Sequence, residues 1–172
     1  MTAMTLAAFA IVAFIGIATP GPTVLLALAN GARFGFRTAA WGMLGAALSD
    51  IVLIGAVALG LGALLAASEF WFSVLKWIGV IYLSWLGVQL LRSTGGADLR
   101  AAMSQSATAS PRAVFRRCFL VAVTNPKGYL FFSAFLPQFV TASQPQLPQY
   151  AALALIFVAT DLLVMSGYAL LG

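Results

Sequence analysis

The chain divides into apolar runs that are each long enough to cross a lipid bilayer, separated by short polar turns. A bilayer core about 30 Å thick requires about 20 apolar residues in a helix. Because lipid offers the backbone no hydrogen-bond partners, such segments are expected to be helices. The sequence therefore predicts an all-α, polytopic membrane bundle of five transmembrane helices. They cover residues 5–30, 38–66, 70–91, 115–140 and 150–171.

Composition excludes a water-soluble domain and several kinds of chemistry. Hydrophobic residues make up 62% of the chain and charged residues 8%, against about a quarter charged in soluble domains. Cys118 is the only cysteine, which excludes an intrachain disulfide and dithiol exchange. The chain has no histidine and no phosphate-binding P-loop motif. We therefore expect no metal site, no cofactor and no nucleic-acid partner.

The distribution of basic residues predicts an orientation. Loops 31–37 and 92–117 contain seven of the nine Lys and Arg residues, whereas the turns at 67–69 and 141–149 contain none. Cytoplasmic loops carry such an excess, so both basic loops are predicted to be cytoplasmic and the amino terminus to lie outside. Lys76 is an exception near the outer end of run 70–91, from which its long side chain can reach the headgroups.

Two acids lie near the middle of apolar runs: Asp50 in the second and Asp161 in the fifth. A carboxylate at that depth costs about 3 kcal/mol on insertion scales, and intramembrane acids usually mark an ion or substrate path. The alternative interpretation is that each acid pairs with a neighbouring helix and serves only assembly.

Helix breakers interrupt the first and fourth runs. In the first run, Pro20 and Pro22 flank Gly21, and two prolines predict a complete break where one would give only a kink. In the fourth run, Asn125 and Pro126 precede Lys127. Lys127 is interpreted either as a substrate-binding cation or as a side chain that reaches the cytoplasmic headgroups.

The breaks and the acids occur twice in the same order, which predicts an inverted repeat. Pro20 precedes Asp50 as Pro126 precedes Asp161. Repeat one would cover 1–92, a cytoplasmic loop 93–114, and an incomplete repeat two 115–172. Paired interrupted helices indicate the binding site of a secondary transporter. Half-helix amino ends would hold a carboxylate, while the acids would hold an amine or a proton.

The segments Thr19-Pro20-Gly21-Pro22, 31–37, 42–50 and Thr124-Asn125-Pro126-Lys127 resemble the LysE/RhtB superfamily of amino-acid exporters, and the resemblance runs over essentially the whole chain. It implies a bacterial inner-membrane exporter of amino acids or related metabolites, driven by the proton gradient, and not an enzyme. Members of that superfamily typically have six spans. The sequence is therefore expected to be truncated, or else a second protomer covers the exposed face.

Two other functions fit the same residues. Asp50 and Asp161 could share a proton as the two carboxylates of an intramembrane aspartyl protease do; this requires the two acids to lie within hydrogen-bond distance. A non-transporting assembly subunit would instead copurify with a fixed partner and show no solute flux.

Overall fold

The computed structural model describes residues 1–60, 77, 110–141 and 143–172, and it contains helices and no strand within these residues. Apart from residue 77, the predicted run 70–91 lies outside them, as do residues 61–66 of the second run and most of the loop 92–117. The described elements are α1 (Ala3–Ala18), α2 (Pro22–Phe34), α3 (Phe36–Ala58), α4 (Pro111–Val123), α5 (Pro126–Ala134), a 3-10 helix (Leu136–Phe139) and α6 (Gln146–Leu171).

Four of the predicted runs correspond to described helices. α3 and α6 are each long and apolar enough to cross a membrane unaided. α1 and α2 form a pair bent by 63°, and α4 with the segment after it forms a pair bent by 53°. If each bent pair is one span, the described residues hold four spans. The predicted all-α membrane bundle is confirmed.

The first basic turn is much shorter than predicted. α2 continues to Phe34, and α3 begins at Phe36, so Gly35 alone connects them. Gly35 has a φ of 75°, a backbone conformation that residues other than glycine rarely adopt. Its N–H donates to the Gly31 carbonyl at 2.9 Å. The predicted turn over 31–37 is therefore wrong in extent. The fourth run likewise starts early, at Pro111.

Small residues allow two pairs of helix backbones to touch. On α3, Gly45 lies against the backbone carbonyl of Phe115 in α4, and Gly42 lies beside the Cys118 sulfur. Further along α3, the Leu53 side chain lies beside Gly128, just beyond the end of α4, so residue numbers rise together along the two helices and α3 and α4 run parallel. Gly31 of α2 lies against the carbonyl of Ala169 in α6. Close backbone approach at small residues is a common way for membrane helices to pack.

The two ends of the bundle differ in charge. At one end the amino-terminal ammonium donates to the Gln144 side chain at 3.5 Å, beside the uncharged turn before α6. The α2–α3 turn lies at the other end; near it, the Asn30 side chain of α2 donates to the Cys118 sulfur of α4 at 3.4 Å. The described arginines fall on the first two turns of α3 and α4 or the last turn of α2, and hence at this second end: Arg33, Arg37, Arg112, Arg116 and Arg117.

Candidate binding cavity

The first helix break separates α1 from α2 over residues 19–21. Thr19 caps α1, and its N–H and hydroxyl both donate to the Ile15 carbonyl, at 3.2 and 2.8 Å. Pro22 is the first residue of α2, a position where the missing N–H removes no helical hydrogen bond. The complete break predicted from the proline pair is confirmed, and it leaves a half-helix that starts inside the bundle.

The second break is built differently. Asn125 is the N-cap of α5, and its side-chain oxygen accepts a hydrogen bond from the Lys127 N–H at 3.1 Å. Pro126 is again the first helical residue. The Asn125 carbonyl accepts from the Gly128 N–H at 3.1 Å and from the Tyr129 N–H at 3.4 Å. The Asn-Pro pair therefore ends one helix and caps the next.

Both breaks border one cavity, and four of the eight predicted site residues line it: Asp50, Asn125, Lys127 and Asp161. The other lining residues are Gly16, Ile17, Thr23, Ala46, Ala122, Gly128, Phe131, Phe132 and Phe157. The cavity volume is about 50 Å³. A water needs about 10–15 Å³ on such a scale, so this conformation has room for a few waters or one small polar group.

The two acids reach the cavity from different helices. Asp50 lies near the middle of α3 and Asp161 near the middle of α6. The Asp161 side chain is 5% exposed, and its Oδ2 atom has no hydrogen-bond partner within the part of the chain that the structure describes. A buried carboxylate without a partner is strongly unfavourable. The Oδ2 atom of Asp161 is therefore available to bind a proton or a cation.

Lys127 connects the two breaks. Its ammonium donates to the Thr19 carbonyl at 2.6 Å, at the carboxyl end of α1. A cation is favourable there, because the last carbonyls of a helix lack partners and carry partial negative charge. A side chain on Gly21 would meet the Lys127 ammonium nitrogen at 3.5 Å. Lys127 thus lines the cavity, with its ammonium group at the first break.

The other predicted site residues act through the backbone. Pro20, Gly21, Pro22 and Pro126 do not line the cavity. The prolines set where α2 and α5 begin, and Gly21 has an extended backbone (φ −150°) that any residue can adopt. Their direct participation in binding remains a prediction.

Sequence reasoning missed the cavity's aromatic wall and Thr23. Phe132 and Phe157 pack edge to face with ring centroids 4.7 Å apart, and Phe131 lies 5.3 Å from Phe157. These rings form an apolar part of the cavity wall. Aromatic residues are common throughout the apolar runs, so their number gave no signal. Thr23 could have been found as the first polar side chain after the break.

The fold and the cavity define a helical membrane protein in which two broken helices gather charged groups at one internal site. The family model described as LysE type translocator matches residues 14–172. The chain belongs to this family, which confirms the resemblance seen in its motifs.

Curated relatives support the same assignment. The homoserine/homoserine lactone efflux proteins of Salmonella typhi and Salmonella typhimurium are each 37% identical over 153 residues, which cover 89% of this chain and 73% of the relative. An uncharacterized membrane protein of Vibrio cholerae is 33% identical over 164 residues, covering 94% of this chain and 77% of the relative. No solved structure matches the chain.

Proposed function

We propose that this protein exports amino acids or closely related small metabolites across the inner membrane in exchange for protons. The observation that carries the proposal is the convergence of Asp50, Asp161 and Lys127 on one cavity between two helix breaks. Family membership and the efflux relatives support transport. Homoserine and its lactone are the first substrates to test, because two relatives are named for them.

The charged groups have complementary roles in this proposal. Asp161 binds a proton in one step and the substrate ammonium in another, since its Oδ2 atom lacks a partner. Asp50 lines the same cavity and shares the cation. Lys127 holds the two breaks together through the Thr19 carbonyl. Alternating access would then open the cavity first to one side of the membrane and then to the other.

The membrane arrangement follows the positive-inside rule. The end of the bundle that carries Arg33, Arg37 and the α4 arginines faces the cytoplasm, and the amino terminus lies outside. Residues 1–92 and 115–172 form two inverted repeats around the loop 93–114. A second copy of the chain is a candidate partner within the bilayer.

Transport is tested in liposomes that contain the purified protein and are loaded with radiolabelled homoserine. Acidifying the outside medium should accelerate efflux from the loaded liposomes, because protons then enter in exchange. Asp161→Asn and Asp50→Asn should each lose this acceleration, since an amide cannot carry the proton.

Thr160→Val is the matched control for Asp161→Asn. Thr160 precedes the acid on α6, lies outside the cavity lining, and donates its hydroxyl to the Ile156 carbonyl of its own helix at 2.7 Å. This variant should retain acceleration by acid. Acceleration that survives in both acid variants would remove these carboxylates from the coupling, and a wild-type protein without flux would favour an assembly subunit.

A further inference from the structure

The two helix breaks offer very different hydrogen-bonding groups to the cavity. At the amino end of α5 every donor is already used. Pro126 has none, the Lys127 N–H donates to the Asn125 side chain, and the Gly128 N–H donates to the Asn125 carbonyl. An anion approaching this end would find no free N–H group, although a helix amino end generally attracts negative charge.

The amino end of α2 is open. Gly21, its N-cap, has no side chain to cap the helix, and the first backbone donor that bonds to Gly21 is the Leu25 N–H, at 3.0 Å. The N–H groups of Thr23 and Val24 therefore have no partner among the described residues. Of these two residues Thr23 lines the cavity, where it is half-buried, so its hydroxyl is a further donor beside its N–H group.

A second observation, independent of the helix end, points to a ligand with two charges. The unpartnered Oδ2 atom of Asp161 belongs to a side chain that lines the same cavity as Thr23. A cavity with free donors from one helix and a free carboxylate from another is complementary to a molecule that carries an acceptor and an ammonium group. An α-amino acid or its lactone has both on adjacent atoms.

We infer that the open end of α2, with Thr23 as its side-chain donor, binds the carboxylate or carbonyl oxygen of the substrate, while Asp161 binds its ammonium group. The inference rests on the proposed function and gives the substrate one orientation in the cavity. Asn125 is then a positioning residue that caps α5 and places Lys127. The similar sequences of the two breaks suggested that both half-helix amino ends would bind the carboxylate. In this arrangement only the amino end of α2 does.

The test measures binding and transport separately. Binding is followed by the thermal stabilisation of purified protein with homoserine, with homoserine lactone, and with 3-amino-1-propanol, which is homoserine without its carboxylate. Thr23→Val should weaken homoserine binding about tenfold or more, the usual effect of losing a hydrogen bond to a charged group. Its effect on 3-amino-1-propanol should be less than twofold.

Thr23→Asp separates binding from folding. A carboxylate in the first turn of a helix is favourable for that helix, so the variant should retain the helix content of the wild type, measured by circular dichroism, even though it adds a third acid to the cavity. The new side chain would occupy the anion position and abolish homoserine binding. Homoserine binding that is unchanged in both Thr23 variants would overturn the inference.

Asn125 variants test its role as a cap. Asn125→Ser keeps an oxygen that can accept from the Lys127 N–H and should bind homoserine within about threefold of the wild type. Asn125→Ala should be less heat-stable. Serine and alanine variants that lose binding equally, with heat stability intact, would make Asn125 a substrate ligand instead. Wild-type protein that binds homoserine without transporting it would refute only the exporter proposal, whereas absence of binding would refute the inference itself.

Discussion

Replacing Gly45 by alanine should loosen the contact between α3 and α4, whereas the same change at Gly55 should not. A Cβ atom at position 45 would overlap the Phe115 carbonyl oxygen and approach the Phe119 N–H, while at position 55 it would meet nothing within 4 Å. Both glycines lie on α3, so the gain in helix propensity, about 1 kcal/mol, is the same in each variant. The difference between the two variants isolates the steric clash.

The size of the effect follows from the atom that would be hit. A flexible side chain could move away, but the Phe115 carbonyl belongs to the backbone of α4, so the two helices must separate. Inserting a methyl group into a packed interface costs about 1–3 kcal/mol. The equilibrium constant for opening the α3–α4 contact should therefore rise about 5- to 140-fold relative to Gly55→Ala.

Cys118 reports this opening directly. It is the only cysteine, it is 2% exposed, and its sulfur lies beside Gly42 in the same interface. In detergent, a maleimide dye should label Cys118 faster in Gly45→Ala than in Gly55→Ala by this factor, with helix content unchanged. Equal labelling rates in the two variants would show that α3 and α4 do not touch through their backbones.

Two further predictions concern hydrogen bonds outside this interface. Gln149→Leu should lower the free energy of unfolding by about 1–3 kcal/mol. The Gln149 side chain accepts from the Thr141 N–H at 2.8 Å and donates to the Pro145 carbonyl at 3.0 Å, and leucine would leave both groups without this partner. Gln146→Leu, at an exposed position nearby, is the control and should leave the stability unchanged. Lys127→Met should slow homoserine efflux about tenfold or more, because the charge-assisted hydrogen bond from the ammonium group to the other break is lost. Lys127→Arg keeps a positive charge and should retain more flux. Equal flux in the methionine variant and the wild type would contradict a role for the ammonium group.

The positions of the breaks and of the acids were predictable from the sequence, because each is a local conflict with lipid. Proline pairs interrupt a helix wherever they occur in a span, and the structure has α2 beginning at Pro22 as expected. The end of α2 was misplaced, however. The glycine and arginine residues around Arg33 suggested a turn, but the last turn of a helix tolerates arginine. Only the positive φ of Gly35 marks the actual turn.

By itself, the sequence determined that this chain is a set of apolar helices with two breaks and with two acids inside apolar runs, because length and hydrophobicity are sufficient to select membrane spans. It could not determine which groups meet. In lipid both faces of a helix are apolar, so no amphipathic pattern marks the side that faces the protein. Only the tertiary structure brings the Lys127 ammonium to the Thr19 carbonyl, 108 residues away in the chain, and places Asp50 and Asp161 in one cavity. The difference between an open α2 and a capped α5 was also decided there, since it depends on where each side chain finds a backbone partner.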